Sequence, residues 1–488
     1  MASGSQEKDS EAGILHILVV GFHHQKGSTV EFVYPPLRQQ EQEPDHVIQS
    51  LTSSLPAEWR HLPHLALPDG SHNYEKDSVY FTLPSASSPT GCVHGVACCR
   101  QIPTQQLHAV EQEVTRSTVQ KSVCILSRYP AYNFLQSKLE LITHAYFNVK
   151  DFSDVSILHE AYDSMNAQVS MGSSLRALHL GLSQRKLVLL LQHRLLQVVK
   201  ALLLQKRVVV FGSPAEKVGS FVLSIAALFP LSLELHCDPE LLPDRHGLPL
   251  TVFETPSSFP PYVCLQQLES LTDPSTSLRL AGVVNPLFEK QQKRLCDVFV
   301  DVDQGSVHFQ DPHTRSQLHL TSADLRFCSL VAETVGELSG PDEPTTFPGS
   351  SEWVKAQFKI YLLSLLATGE NGDSISMEEF GRHFAAVWQN GEVFEAWQKR
   401  ERGGIMRVDP RHPCEGDISL GDVRRRLVAR MSDYGLSVPS GEVVVQQTQR
   451  IVSEATGRVT GAVGGAWAAA SASVYSWWSG GGKNEDNR

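Results

Sequence analysis

Short runs of β-branched and aromatic residues, separated by turn signals, occupy the first part of the chain. Residues 14–22 are almost all apolar, as in a central strand, whereas 30–34 alternates apolar and polar side chains. Pro35 and Pro36 end the second run, because proline cannot donate to a β-ladder. With Gly27 between them, the two runs predict a β-hairpin. Three later segments each predict one more strand of an antiparallel sheet: 79–83, 92–102 and 119–126.

After this sheet, the spacing of apolar residues changes to steps of three and four. That spacing predicts an amphipathic helix beyond Tyr129 and Pro130, with these apolar positions: Phe134, Leu135, Leu139, Ile142, Ala145 and Tyr146. Residues 153–166 continue in the same pattern. The Gly/Ser-rich segment 167–174 then predicts a joint between domains.

The middle of the chain alternates between helix and strand patterns. One long, strongly apolar helix is predicted from Ser183 to Gln205, followed by a buried strand over 207–212 and a helix over 214–229. The apolar stretch 187–204 approaches the length of a membrane span, but Gln197 and Lys200 interrupt it and we expect it to form core. Short strands or turns are expected over three further segments: 253–271, 282–288 and 296–302. This alternation is typical of an α/β module.

The last third of the chain has helical patterns. A Gly/Pro/acidic loop over 336–350 precedes helices predicted at 353–366 and 380–388. From Val443 the chain changes in character, because apolar residues recur at helical steps opposite Ser, Thr, Gly and Ala, and no charged residue occurs between Val459 and Gly482.

This tail, 443–488, has three possible roles. An apolar stripe opposite small polar residues is typical of a helix that lies in a membrane surface and binds through hydrophobic insertion. Its glycines favour a flexible, disordered tail instead, because each interior glycine destabilises a helix by roughly 1 kcal/mol. Packing against the rest of the chain is the third alternative. The candidate membrane contacts are Val459, Val463, Trp467, Val474, Trp477 and Trp478.

Composition narrows the functional class. The 488 residues suggest two to four structural units, and 41% hydrophobic with 19% charged residues are typical of a folded soluble protein. Lys+Arg 42 against Asp+Glu 53 gives a net charge of −11, so we expect no nucleic acid partner. The nine cysteines form no Cys-x-x-Cys pair, which favours reduced thiols. Residues 1–13 are polar, which predicts a disordered leader, no secretory signal and a cytoplasmic protein.

Motifs for covalent chemistry are missing from the sequence. It contains no G-x-x-x-x-G-K-[ST], no G-x-G-x-x-G after the first strand and no G-x-S-x-G. His159-Glu160 lacks the second histidine that a zinc helix needs four residues on. We therefore assign no catalytic, cofactor-binding or metal residue and no cofactor, and the sequence leaves open whether the protein is an enzyme.

Three segments give weaker signals of a binding site, and each also has an ordinary structural interpretation. Three neighbouring histidines could indicate a metal site, although solvated loop residues are favoured: His61, His64 and His72. Residues 368–379 resemble a calcium loop, but Asp373 stands where glycine is needed, which favours a polar helix connection. Arg424–Arg426 with Arg430 could meet an acidic partner or phosphate, although a solvated helix face is favoured.

Seven segments look familiar in combination. They are Leu15–His24, Val30–Pro36, Leu65–Gly70, Val119–Cys124, Leu141–Phe147, Ala323–Phe327 and Trp353–Phe358. In this order they resemble the Avl family of late secretory pathway proteins, a branch of the DENN-domain superfamily. The resemblance runs from about residue 14 to the tail.

The resemblance implies an α/β fold in three parts. A longin-like upstream module at 14–152 is expected to precede a central α/β DENN module at 175–330 and a mostly helical part at 350–440. Relatives can carry a long polar insertion where this chain passes from Pro230 to Gly247 by a short connection, so any partner site in such an insertion would be missing here.

DENN proteins commonly act as guanine nucleotide exchange factors for Rab GTPases. Exchange breaks no covalent bond, since the factor binds a nucleotide-free state of the GTPase and lowers the barrier to GDP release. The resemblance implies a regulator of late secretory or recycling endosomal traffic, supporting polarised processes such as cell migration. It would bind a Rab GTPase and attach peripherally to recycling endosome or late Golgi membranes. The alternative is a non-exchanging adaptor or effector that links a GTPase or coat component to membrane through the tail.

Overall fold

The computed structural model describes residues 12–37, 51–85, 88, 91–108, 117–337, 347–372 and 374–433. The chain divides into two compact units, Met1–Asp417 and Ile418–Arg488, and each is described by itself. The first unit contains both sheets, and the division into three modules stays a prediction. Residues 1–11 of the predicted leader 1–13 lie outside the described residues, and so does the tail 443–488.

Five antiparallel strands form the first sheet, as the strand-like runs and turn signals predicted. They are β1 (Ile14–His23), β2 (Gly27–Tyr34), β3 (Lys76–Pro84), β4 (Cys92–Pro103) and β5 (Thr118–Ser127). The strand order is β2-β1-β5-β4-β3, and Val19 of β1 lies opposite Val123 of β5 on one side and Phe32 of β2 on the other. Because β1 lies between two strands, its residues from Ile17 to Val20 are fully buried.

Three helices pack against this sheet: α1 (Leu62–Ala66), α2 (Tyr132–Val149) and α3 (Ser156–Asn166). The predicted apolar face of α2 buries Leu135, Leu139 and Tyr146, and the helix contacts β4 and β5. Strand β3 lies at one edge of the sheet, where it contacts a helix of the second sheet region.

The second sheet is mixed. It contains β6 (Val208–Phe211), β7 (Leu280–Val283), β8 (Val298–Asp301) and β9 (Ser306–Phe309). The order is β7-β6-β8-β9, with β6 parallel to β7 and β8. Parallel strands need long crossovers, which helices supply here. The helices of this region are α4 (Met171–Ala177), α5 (Gln184–Leu191), α6 (Arg194–Leu203), α7 (Ala215–Ala226), α8 (Ser232–Cys237), α9 (Leu268–Thr272), α10 (Pro286–Lys290) and α11 (Gln292–Leu295).

The prediction of one continuous helix from Ser183 to Gln205 is wrong. Gln192 adopts a φ of 51°, which ends α5, and α6 begins at Arg194. The β8–β9 turn accounts for the break: a Cβ on Gly305 would lie 2.9 Å from the Leu190 oxygen, and Arg194 Nη1 donates to the Gly305 oxygen at 3.3 Å. Apolar residues lie on both sides of the break, so the hydrophobic pattern cannot reveal it.

The expectation that this segment forms core is confirmed, because every residue of α6 is buried. Within the described ranges, no helix has both the length and the hydropathy needed to cross a bilayer.

The three segments expected as short strands or turns differ in outcome. Residues 253–271 form turns of 3-10 helix and most of α9, without a strand. Only the end of β7 falls within 282–288, because Asn285 caps α10 and Pro286 starts it. The segment 296–302 contains β8, as expected.

The helical part has the predicted helices and several more. The first unit contains α12 (Pro312–Gln317), α13 (Ser322–Glu337), α14 (Ser351–Asn371), α15 (Ser374–Glu378), α16 (Arg382–Trp388) and α17 (Glu392–Gln398), and the second contains α18 (Leu420–Asp433). The calcium-like segment 368–379 connects α14 to α15, as favoured. Thr368 is buried and donates to the Ser364 oxygen at 2.7 Å, so its hydroxyl is not presented to an ion.

Candidate functional site

The N-terminus of α7 meets the edge strand β3 of the first sheet. Asp77 on β3 accepts hydrogen bonds from the backbone N–H groups of Ala215 at 3.0 Å and Glu216 at 3.3 Å. The first N–H groups of a helix have no partner within the helix, and the helix dipole favours a negative charge at this end. One carboxylate therefore joins the first sheet to the helix that follows β6.

The Asp77 carboxylate is buried, and this burial changes its pKa. Burial raises the pKa of Asp77 to about 6, even though the N–H groups of Ala215, Glu216 and Ser78 act in the opposite direction. Only 6% of the residue is exposed. The carboxylate is thus mainly ionised at neutral pH and gains a proton in mildly acidic solution.

Close packing surrounds this helix cap. A Cβ on Gly219 of α7 would lie 2.9 Å from the ring of Tyr80, so the absence of a side chain lets the helix approach β3. The Tyr80 hydroxyl lies 2.9 Å from Asn133 Oδ1 and also contacts Gln136 Oε1, both on α2. Tyr80 therefore connects α2, β3 and α7.

A second link joins the same two parts of the fold. The Tyr262 hydroxyl accepts from the Asp69 backbone N–H at 3.0 Å, and the Asp69 carboxylate accepts from the Leu265 N–H at 3.3 Å. Tyr262 itself is 1% exposed. We refer to the contacts of Asp77, Tyr80 and Asp69 with the second sheet region as the sheet junction.

A small cavity lies between the same two parts of the fold, lined by residues that include His94, Tyr132, Leu223, His236 and Phe259. The cavity has room for about one water molecule. His94 Nδ1 lies 2.8 Å from the Tyr132 hydroxyl, whereas the Nε2 atoms of His94 and His236 have no hydrogen-bond partner among the described residues.

Both histidines are neutral. Burial, with the nearby His236, lowers the pKa of His94 to about 3, and burial lowers the pKa of His236 to about 4. In the described ranges, no group of three or more His, Cys, Asp or Glu side chains could hold a metal ion.

A buried ion pair ties α6 to the helical part. Lys200 Nζ lies 2.5 Å from Asp324 Oδ2 and donates to the Phe380 oxygen at 2.6 Å. Asp324 also accepts from the Tyr361 hydroxyl at 2.8 Å, and His412 Nε2 lies 3.4 Å from its Oδ1. Burial alone would raise the pKa of Asp324, but Lys200 and His412 outweigh it and lower that pKa. We call these five residues the lysine cluster.

The eight buried cysteines are poor nucleophiles. All nine are free, as the spacing favoured, and eight are buried. Burial raises the pKa of Cys98, Cys237 and Cys264 to about 12, so these thiols stay protonated at neutral pH.

The sheet junction and the lysine cluster have the properties of structural connections and not of a reaction centre.

The predicted candidate residues are not brought together. His61 precedes α1, His64 is half-buried inside it, and His72 is exposed in a 3-10 turn, so the solvated-loop interpretation holds for His72 alone. The four arginines of the basic patch lie on α18. The six candidate membrane contacts lie outside the described residues, and their role stays a prediction.

Sequence reasoning missed Asp77, His94 and Lys200. A weak signal existed for two of them, because a histidine within the apolar strand β4 and a lysine within the apolar helix α6 are both unusual in a core. Nothing in the sequence marked Asp77 as a buried residue, since an acidic residue near the start of a strand is common.

A family model described as "Transport protein Avl9" matches residues 14–240 and 234–369, most of the chain. The chain belongs to the Avl9 family. "Late secretory pathway protein avl9" of Schizosaccharomyces pombe is 29% identical over 457 residues, covering 84% of this chain and 92% of the yeast protein. "Late secretory pathway protein AVL9" of Saccharomyces cerevisiae is 28% identical over 495 residues, covering 87% of this chain. This Avl9-family chain spans 63% of that longer relative.

Proposed function

We propose that this Avl9-family protein is a DENN-type regulator of membrane traffic in the late secretory and recycling endosomal pathway. In this proposal it binds a Rab-class GTPase and promotes release of GDP. The observation that carries the proposal is the family match together with relatives named as late secretory pathway proteins over most of this chain. The longin-like, DENN and helical modules of the sequence resemblance are part of the same proposal.

The sheet junction and the lysine cluster are consistent with an exchange factor. Such a factor accelerates release only if it binds the nucleotide-free GTPase more tightly than the GDP-bound form. Discrimination of this kind needs a surface with fixed geometry. Asp77 fixes β3 to α7, and Lys200 with Asp324 fixes α6 to α13, so neighbouring elements are held by buried polar bonds.

The chemistry of the described residues also fits this function. GDP release requires no nucleophile, general base or cofactor, because no covalent bond changes. Protonated cysteines and neutral, buried histidines are compatible with a protein that acts by binding alone.

The cellular part of the proposal follows the same resemblance. The protein would be cytoplasmic and would attach peripherally to recycling endosome or late Golgi membranes through the tail 443–488. Traffic at these membranes would support polarised processes such as cell migration.

Binding of the full chain to a panel of purified Rab GTPases tests the proposal. Each GTPase is presented nucleotide-free, GDP-loaded and GTP-loaded, with the same GTPase in another state as its own control. An exchange factor binds the nucleotide-free form more tightly than either loaded form. Preference for the GTP-bound form would contradict exchange and favour the adaptor or effector alternative.

A further inference from the structure

Helix α18 is amphipathic and rich in arginine. On an ideal helix, Val423, Leu427 and Met431 fall within an arc of about 80°. All three are half-buried. Arg430 lies within about 20° of one edge of this arc, and Arg424 lies within about 20° of the other. The apolar stripe is therefore bordered by arginine on both sides.

The acidic residues of α18 lie away from this stripe. Asp422 is buried, accepts from the Ser419 backbone N–H at 2.7 Å and pairs with Arg425 at 3.2 Å. Arg424, Arg426 and Arg430 are exposed, and within the described residues none of these three has an acidic partner. Three guanidinium groups are thus available to a ligand outside the helix.

Their local charge is opposite to that of the whole chain, which has a net charge of −11. Attraction to an anionic surface therefore has to come from a local group of basic residues, such as the one on this helix, and not from the protein as a whole.

The arrangement fits a lipid surface better than an acidic protein. Arginines at the edges of an apolar stripe can reach phosphate groups while the stripe enters the acyl boundary. An acidic protein partner is the alternative that the test below separates from lipid. Further along the chain, the uncharged stretch that begins at Val459 contains Trp467, Trp477 and Trp478, a residue type enriched at membrane interfaces.

We propose that α18 binds anionic phospholipid bilayers through Arg424, Arg426 and Arg430, with Val423, Leu427 and Met431 in the acyl boundary. This inference rests on the proposed peripheral membrane association and adds selectivity for negative charge. The tail would supply hydrophobic insertion, and α18 would supply the electrostatic part. Two weak signals together give stable attachment, where one alone is marginal and reversible.

The test is sedimentation of the full chain with large, weakly curved vesicles of phosphatidylcholine containing phosphatidylserine. Each arginine near an anionic surface contributes about fivefold to binding. Replacing all three (Arg424→Gln, Arg426→Gln, Arg430→Gln) should therefore lower binding roughly a hundredfold, while Arg424→Lys, Arg426→Lys, Arg430→Lys should retain most of it. The matched control changes three exposed arginines elsewhere and should bind like the unchanged chain: Arg176→Gln, Arg294→Gln and Arg407→Gln.

Undiminished binding of the α18 glutamine variant to these vesicles would overturn the inference. So would equal loss in the Arg176/Arg294/Arg407 control, since general charge would then explain the result. If the chain does not bind anionic vesicles but captures an acidic protein through these arginines, the partner is not lipid and the inference is wrong. GDP release from soluble GTPase, measured without vesicles, reports separately on the proposed function.

Discussion

His94 and His236 illustrate how single buried residues make the free energy of unfolding depend on pH in acid solution. Their pKa values lie at about 3 and about 4, below the ordinary 6.5, because burial disfavours the charged form. The unfolded chain therefore takes up protons on these residues before the folded chain does. The stability they provide is fully present above about pH 6.5. It is lost as the pH falls, down to about 4 for His236 and about 3 for His94.

His236→Phe should make the free energy of unfolding depend less steeply on pH in acid solution. Between about pH 6.5 and pH 4.5, the free energy of unfolding should fall less steeply than in the unchanged chain, by up to about 1.4 kcal/mol per pH unit. Asp77 titrates in the same window with the opposite sign, so the prediction concerns the difference between variants. Urea unfolding at several pH values measures it, with the exposed His72→Phe as control. Parallel curves for His236→Phe and the unchanged chain would contradict the account.

Lys200→Met removes the ammonium partner of a carboxylate that stays buried. Loss of one partner from a buried pair costs about 3–5 kcal/mol of unfolding free energy. The matched change Lys217→Met breaks the pair with Asp303, whose side chains are 36% and 41% exposed, and should cost less than about 1 kcal/mol. Chemical denaturation of the two variants measures both values. Equal losses would show that the lysine cluster is not a buried connection.

The residues of the sheet junction and the lysine cluster were beyond sequence reasoning for a simple reason. Asp77 and the helix N-terminus that it caps are 138 positions apart, and Lys200 and Asp324 are 124 apart. Periodicity reports only on neighbours within a few turns. The sequence therefore indicates which residues are unusual in a core and not which residues they meet.

At the scale of elements, α7 carries the connection between the two sheets. Asp77→Ala should lower the free energy of unfolding by about 1–3 kcal/mol, because two helix N–H groups lose a buried acceptor. Asp303 offers a matched control at the same end of α7, since it accepts from the Ser213 N–H at 3.1 Å on the exposed surface. Asp303→Ala should cost less than about 1 kcal/mol.

Thermal unfolding of these two variants, monitored by circular dichroism, checks the prediction. A larger loss for Asp303→Ala than for Asp77→Ala would mean that the cap from β3 does not hold the sheets together.

Elements with a clear period were predictable, and those shaped by distant contacts were not. The five strands of the first sheet follow from their short apolar runs and the turn signals between them. Helix α2 follows from its spacing, because one face of the helix is buried. The α5–α6 break at Gln192 depends on Gly305, more than a hundred residues further along. The short strand β9 and helices such as α12 lack enough residues to show any period.

At the scale of the whole molecule, the tail should determine membrane attachment. Deleting residues 443–488 should abolish binding to small, highly curved neutral vesicles and leave the folded core intact, because hydrophobic insertion needs no anionic charge. Replacing Trp467, Trp477 and Trp478 together by Ala should have nearly the same effect. Vesicle flotation measures both, with circular dichroism as the folding control. Unchanged flotation of the truncated chain would show that the tail is not a membrane element.

Family membership was also accessible from the sequence, since the segments that resemble the Avl family lie within the matched regions 14–240 and 234–369. A surface for the proposed GTPase partner was not accessible from the sequence, because a binding face for another protein leaves no fixed residue spacing. Only a measurement with the partner present can locate it.

Release of fluorescent GDP from a panel of purified Rab GTPases tests the central claim most directly. The full chain and a chain ending at Pro439 are compared, each with and without small, curved vesicles. The account predicts faster release from one GTPase, strongest with vesicles and the intact tail. No acceleration across the panel, with binding confined to GTP-loaded partners, would contradict it.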